Sequence, residues 1–171
     1  MNDNLAIVVA LSSWEMVVAR ANALFAAFSD EGLGRQIAPG KNSVRYLLGH
    51  LTAVHDGLLP LLGLGERLHP ELDEAFIKRP EAHDDNHNDK QTHKQAGDAM
   101  PSAAELRQYW TEVNSALSAA FASLPPEAWL GRHTAMTDED YEKNPVRNRL
   151  AVLLSRTNHL SYHVGQIILI K

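Results

Sequence analysis

The stretch Asn158-His159-Leu160-Ser161-Tyr162-His163-Val164-Gly165-Gln166, near the C-terminus, decides how the rest of the chain is interpreted. It contains two histidines four residues apart, and the sequence on both sides is rich in Leu, Val and Ile. On an α-helix, residues i and i+4 lie on one face, so the two imidazoles can point at one metal ion. Two packed histidines in a helical bundle would show the same spacing, so a metal centre needs a third ligand.

Composition limits the classes of protein to which the chain can belong. Its 171 residues, 44% of them apolar, are enough for a real core and predict a single domain over residues 1–171. There is no cysteine, which excludes disulfides, thiolate zinc sites, iron–sulfur clusters and cysteine nucleophiles. Any metal must therefore be held by nitrogen and oxygen, and nine histidines are available.

Charge and the N-terminal sequence argue against two kinds of partner. The formal net charge is −5, and the sixteen Lys and Arg residues are scattered, so we expect no nucleic-acid partner. Residues 1–4 carry no basic segment, and the apolar run that follows lacks a convincing cleavage site. We therefore expect no signal peptide, no membrane span and a cytoplasmic protein.

Two helices are predicted in the first third of the chain. Apolar residues at helical spacing predict a first helix over residues 4–29. Asn42 or Ser43 can cap a second helix that runs to about Leu62, where glycines follow. On this helix, His50 lies on a mostly apolar face, whereas His55 lies well round the helix and cannot easily share a site with it.

Residues 65–100 are predicted to form a long connection. A short helical turn is expected within residues 68–77, and a strongly polar segment follows. This segment contains His93 and a second pair of histidines four residues apart, His83 and His87. No periodic apolar face would hold that pair on a packed helix, so we expect the segment to cover a pocket mouth rather than to bind a metal.

Two further helices are predicted in the C-terminal half. Ser102 and Glu105 form a capping box that begins a third helix, which runs to about Ser123. Residues 129–143 are mixed and polar, and we expect a long connection in which a ligand role for His133 is improbable. The fourth helix is predicted to begin at Asn144-Pro145 and to run nearly to Lys171.

The fourth helix carries two apolar sides. His159 and His163 share one side with Val152, Arg156, Gln166 and Ile170. The opposite side carries Leu150, Leu154, Thr157, Ser161, Val164 and Ile168. A helix that is apolar on two sides is expected to be buried on two sides, one against the bundle and one against a neighbouring helix or a second subunit. A symmetric homodimer is the simplest such assembly.

Four amphipathic helices without strand patterns predict an all-α protein. The expected architecture is a four-helix bundle with a long crossover between helices 2 and 3. Bundle interiors can bind metals through side chains of facing helices, so His50 can join His159 and His163. Three nitrogen ligands with an open coordination position are typical of catalytic rather than structural metal sites.

At this point the chain resembles the DinB/YfiT-like superfamily of bacterial bundle proteins. The resemblance is carried by Tyr46-Leu47-Leu48-Gly49-His50-Leu51 and by His159-Leu160-Ser161-Tyr162-His163-Val164-Gly165-Gln166. The HxxYHxGQ pattern is the more specific of the two. The resemblance implies a divalent metal held by His50, His159 and His163, with nickel, zinc, iron and manganese all suitable, and it implies frequent dimers.

The resemblance leaves the reaction open. Some relatives are thiol S-transferases or isomerases that use a low-molecular-weight thiol, and others are described as metal-dependent hydrolases. A metal could lower the pKa of a bound water or a bound thiol. Gln166 could hydrogen-bond such a water, and Arg156 could pair with an anionic cosubstrate, although either could equally be a packing or surface residue. The alternative function is a non-catalytic bundle that binds a small molecule or partner, with a structural or vestigial metal site.

Overall fold

The protein is built from four long helices. The computed structural model describes residues 3–77 and 100–171, and the regular structure in those ranges is helical, with isolated β-bridges and no strand. The long helices are α1 (Asp3–Ala26), α2 (Val44–Asp56), α3 (Ala103–Ser123) and α4 (Arg149–Ile168). Shorter helical segments are Gly32–Gly34, Leu58–Leu61, Leu72–Phe76, Pro126–Trp129 and Asp138–Lys143. The all-α fold class predicted from the sequence is confirmed.

Side-chain caps fix where three of the long helices begin. The Ser43 hydroxyl accepts the backbone N–H of Tyr46 at the start of α2, and the capping box of Ser102 and Glu105 begins α3. The predicted start of α4 at Asn144 was wrong, because Asn144 ends the short helix Asp138–Lys143. The cap of α4 is Asn148, whose side-chain oxygen accepts the backbone N–H of Ala151. Both asparagines suit an N-cap, and sequence alone did not separate them.

The segment between α3 and α4 is more structured than a polar connection. It contains two short helices, and Trp129 is fully buried. Thr134 donates its backbone N–H to the carbonyl of Leu61, which ties the segment to the short helix Leu58–Leu61 that follows α2. The Arg149 backbone N–H is in turn held by the carbonyl of Gly131. The connection therefore fixes the position at which α4 starts.

Contacts between helices give their directions. Trp14 of α1 contacts Phe121 of α3, and Phe25 contacts Trp110, so α1 and α3 run in opposite directions. His55 of α2 contacts Asn114 of α3, while Arg45 binds the carbonyl of Pro101 just before α3, so α2 and α3 run parallel. Parallel neighbours need a connection that returns along the bundle, which agrees with the predicted long crossover.

One hydrophobic core includes side chains from all four long helices. The buried residues of α4 are Leu153, Thr157, Leu160, Val164 and Ile167. The predicted apolar side of α4 was therefore wrong in part, because Leu154, Ser161 and Ile168 are exposed. The true core-facing side is rotated by about one position and lies between the two sides identified on the sequence wheel.

One helix of the described ranges, Asn4–Ala26, is long and apolar enough to cross a membrane by length and composition. Its inner residues, including Ile7, Trp14 and Ala21, are buried in the bundle core. Leu5, Val8, Val9 and Met16 are exposed. Burial of the inner side therefore accounts for part of the apolar character of this helix.

Candidate metal site

Three histidines from two helices meet in the bundle. The Nε2 atom of His159 on α4 lies 3.3 Å from Nε2 of His50 on α2 and 3.1 Å from Nε2 of His163 one turn along α4. One nitrogen from each ring lies within 4.8 Å of the others, and all three residues are partly buried. The structure thus brings together the three residues that the sequence pattern selected as metal ligands.

A backbone carbonyl fixes the orientation of His50. Its Nδ1 lies 3.0 Å from the carbonyl oxygen of Phe76, in the short helix Leu72–Phe76. A carbonyl oxygen only accepts hydrogen bonds, so Nδ1 carries the proton and donates it. In the neutral ring, Nε2 then has a free lone pair that points toward the other histidines. This is the arrangement by which metal-binding histidines are commonly oriented.

Gln166 performs the same task for His163. Its side-chain oxygen Oε1 accepts a hydrogen bond from Nδ1 of His163 at 2.8 Å, one turn along α4. The sequence left two roles open for Gln166, a hydrogen bond to a water on the metal and a packing or surface role, and in the structure its side chain binds the histidine ring itself. The effect is to leave Nε2 of His163 free to face the cluster.

Gly49 allows the Phe76 ring to pack on α2 next to the site. A Cβ at Gly49 would overlap the Phe76 ring, so any larger residue would push the ring away from the helix. Phe76 is buried, and its carbonyl also accepts a hydrogen bond from the Tyr46 hydroxyl at 3.4 Å. The Tyr46 ring lies nearly parallel to His50, with an interplanar angle of 7°. A glycine one residue before the ligand therefore helps to position that ligand.

Burial keeps the two histidines of α4 neutral. Desolvation by burial, followed by the nearby His163, His50 and Arg156, lowers the pKa of His159 to about 4. Burial also lowers the pKa of His163, with the hydrogen bond to Gln166 acting in the opposite direction. A histidine must be neutral to bind a metal, so these lowered pKa values leave the lone pairs available at neutral pH.

The spacing of the donor atoms suits a transition-metal ion. With metal–nitrogen bonds of about 2.1 Å, two nitrogens at a tetrahedral angle lie about 3.4 Å apart. The two measured separations between Nε2 atoms are 3.1 and 3.3 Å. Three imidazole nitrogens form an intermediate-softness donor set that suits zinc, nickel or iron. The residues present therefore fit a divalent metal.

The comparison with protein families agrees with this geometry. The family model of the DinB superfamily matches residues 13–167, which include the three histidines and most or all of each long helix. The chain belongs to the DinB superfamily. Comparison with curated proteins finds no match to the chain. Membership of the DinB superfamily and the three-histidine cluster together fit a metal-binding protein.

Other residues that the sequence singled out are not members of the three-histidine group. Arg156 lines a pocket one turn before His159, and His133 lines the same pocket. His55 is buried in the core and bonds to Asn114, in agreement with the expectation that it would not share a site with His50. His83, His87 and His93 lie outside the described residues.

Sequence patterns did not reveal the groups that orient the ligands in this DinB protein. The Phe76 carbonyl has no sequence signal, because any residue at that position supplies a carbonyl. Gly49 did offer a signal, since a glycine inside a predicted helix often marks a close approach of another element. Gln166, three positions after His163, was a candidate from the sequence, but the sequence did not indicate that its side chain binds His163.

Proposed function

We propose that this DinB-superfamily protein is a metal-dependent enzyme, a hydrolase or a thiol S-transferase, with His50, His159 and His163 as the metal ligands. The observation that carries the proposal is the convergence of three Nε2 atoms, two of which are freed by hydrogen bonds at the opposite ring nitrogen. Among residues 3–77 and 100–171, no further histidine or carboxylate joins the group. Three protein ligands leave coordination positions for water or substrate.

The protein side chains hold and orient the reacting groups. A divalent ion, when bound, supplies Lewis acidity that lowers the pKa of a water or thiol at neutral pH. His50 and His163 are held by Phe76 and Gln166, so the ligand set is preorganised and its donor atoms do not have to be brought together during the reaction. The surrounding core limits the access of water on the side of the bundle interior.

The proposal extends to cofactors and assembly. Nickel, zinc or iron would suit the imidazole ligands, and manganese is the fourth ion that the resemblance implies. A low-molecular-weight thiol is the cosubstrate proposed for the transferase reaction. The protein is further proposed to be a cytoplasmic homodimer without nucleic-acid or membrane partners. A monomeric mass by light scattering at micromolar concentration would contradict the homodimer.

Elemental analysis of the purified protein tests the metal site first. We expect about one divalent ion per chain in the parent protein and none in His50→Ala or His163→Ala, because two imidazoles alone bind weakly. His69→Ala is the matched control, since His69 lies against Tyr109 and Glu112, away from the cluster. No metal in the parent protein after reconstitution, or equal loss in the control, would contradict the ligand assignment.

Spectroscopy of the cobalt-substituted protein then separates the functions. A change of the d–d spectrum on addition of a thiol would support the transferase, and a change with small anions together with ester or amide hydrolysis would support the hydrolase. A spectrum that responds to neither would favour the non-catalytic bundle with a structural metal. Fold and family membership alone do not choose between these functions.

A further inference from the structure

A separate pocket lies beside the first turns of α4. It has a volume of about 290 Å³ and is formed where α4 meets the short helix Leu58–Leu61 and the connection that precedes α4. Its lining includes Leu61, His133, Arg147, Val152, Ser155 and Arg156. None of the three clustered histidines is among the lining residues. The volume is at the lower end of the range for small-molecule sites.

Two arginines of the pocket lack a carboxylate partner within the described ranges. Arg67, Arg107 and Arg132 each form an ion pair with an aspartate. Arg147 and Arg156 form none there, although the chain has a net charge of −5. The Nε atom of Arg156 is buried and has no hydrogen-bond partner. A guanidinium with unused donors in a concave site is well suited to bind an oxyanion.

His133 adds a second buried atom without a hydrogen-bond partner to the same pocket. Its exposed fraction is only 9%, and its buried Nδ1 has no hydrogen-bond partner in the structure. A buried polar atom of this kind costs free energy unless a ligand or water satisfies it. Burial and then the charges of Arg147, Arg132 and Arg149 lower the pKa of His133, which indicates a positive local potential. A neutral imidazole can still donate one N–H to an oxyanion.

The pocket is close to the three histidines along α4. Arg156 precedes His159 by three residues, which corresponds to about 4.5 Å along a helix. Val152 and Arg156 share the side of the helix that carries His159 and His163. A molecule anchored in the pocket can therefore extend along this side of α4 toward the cluster.

We infer that this pocket binds the carboxylate or phosphate group of a small molecule whose other end reaches the three-histidine site. Arg156 and Arg147 neutralise the anion, and His133 contributes a hydrogen bond. The placement of the reacting end rests on the proposed function, whereas anion binding in the pocket does not. Discrimination of substrates would then come from the distance between the anionic group and the reacting atom.

Titration of metal-free protein with inorganic phosphate and with succinate, at constant ionic strength, tests the inference. Binding is followed through the NMR signals of the arginine Nε–H groups and of the α4 backbone. We expect Arg156→Gln and Arg147→Gln each to weaken binding of the preferred anion by at least about fivefold, because each removes one charge-assisted contact. Arg20→Gln, an exposed position on α1, is the matched control and should bind as the parent does.

Comparison of the two anions shows whether the pocket prefers a phosphate or a carboxylate group. Tighter binding of phosphate would identify a phosphate pocket, and tighter binding of succinate a carboxylate pocket, and both support the inference. No binding by the parent, or equal weakening in Arg20→Gln, would overturn it. A circular-dichroism melt of each variant checks folding, and Arg156→Lys, which keeps the charge, should recover part of the affinity. Because no metal is present, failure of the metal proposal would leave this result unaffected.

Discussion

Two buried histidines, His55 and His159, show how similar desolvation can serve different purposes. Burial lowers the pKa of His55 to about 3 and that of His159 to about 4. The His55 ring lies against Trp14 and Trp110, with centroid distances of 4.6 and 4.9 Å. Its Nδ1 is 2.9 Å from the side-chain oxygen of Asn114, which accepts its hydrogen.

The surroundings of each ring decide its role. Indole rings lie against His55, and its Nε2 has no hydrogen-bond partner. Within residues 3–77 and 100–171, His55 belongs to no group of histidines and carboxylates that could hold a metal ion. His159 has two other imidazole nitrogens within 3.3 Å of its Nε2. A lowered histidine pKa alone is therefore weak evidence for function, and the convergence of several donor atoms is stronger evidence.

The largest expected effect is the difference in metal affinity between two single substitutions, one at His159 and one at His55. His159→Ala should weaken metal binding by more than about 100-fold, since loss of a direct ligand exceeds the loss seen for its supporting contacts. His55→Gln should leave metal affinity within a few-fold while lowering the free energy of unfolding. Competition titration with a chelating dye and urea unfolding of metal-free protein measure the two quantities.

That pair of variants can also break the comparison. A large loss of metal affinity in His55→Gln, with the fold intact by circular dichroism, would show that the core histidine supports the site. Unchanged affinity in His159→Ala would remove it from the ligand set.

The second expected effect concerns pH. In the folded state His55 stays neutral down to about pH 3, whereas in the unfolded chain it gains a proton near the ordinary histidine pKa of 6.5. Between these two pH values the unfolded state therefore binds more protons than the folded state. The contribution of neutral His55 to the free energy of unfolding is complete above pH 6.5 and is lost as the pH falls toward 3. At about 1.4 kcal/mol per pKa unit, the loss is on the order of a few kcal/mol. Urea unfolding of metal-free protein between pH 7 and 4 measures it.

His55→Gln should reduce the slope of the free energy of unfolding against pH, by an amount that corresponds to at most one bound proton. Leu117→Ala, a fully buried change on α3, is the control. It should lower stability at every pH by about 2–5 kcal/mol without altering the slope, because it removes no titrating group. Parallel curves for the parent and His55→Gln would show that this histidine is not the source of the acid sensitivity.

The smallest expected effects, on stability and on metal affinity, come from alanine substitutions at two glycines next to the site residues. Gly49→Ala should destabilise the protein by about 1–3 kcal/mol, because its Cβ would meet the Phe76 ring. Displacing Phe76 also releases His50, so metal affinity should fall by about tenfold. Gly165→Ala is the matched control, since nothing lies within 4 Å of its Cβ, and the change should be neutral or stabilising by up to about 1 kcal/mol. Thermal unfolding with and without metal compares them, and equal behaviour would contradict the role given to Gly49.

The sequence was informative wherever a signal is local and periodic. The caps at Ser43 and Ser102 correctly placed the starts of α2 and α3, and the HxxYHxGQ pattern selected residues that the fold brings together. The predicted end of α2 near Leu62 was wrong, because α2 ends at Asp56 and a separate short helix, Leu58–Leu61, follows Gly57. The predicted start of α4 was wrong because two asparagines suit the cap. The choice of Asn148 depends on a tertiary contact, the backbone hydrogen bond from Arg149 to Gly131. The predicted buried side of α4 was wrong in part, because tertiary packing decides which side of an apolar helix faces inward.

Long-range geometry was beyond the reach of sequence patterns. The carbonyl of Phe76, the indoles around His55 and the pocket at His133 each combine residues from distant segments. Such juxtapositions depend on backbone positions that no local pattern encodes. The single domain over residues 1–171, the homodimer and the cytoplasmic location stay predictions.

The crossover that makes α2 and α3 parallel has a consequence for how the site comes into existence. His50 and His159 are separated by 109 positions in the chain, and α4 is the last long helix of the described ranges to be synthesised. The earlier helices can emerge from the ribosome while only one of the three imidazoles is in place. Long-range contacts of this kind form late, because they require closure of a large loop. Metal capture would therefore mark the docking of α4 onto a bundle that is already partly assembled, and an ion would be retained chiefly by chains that have completed folding.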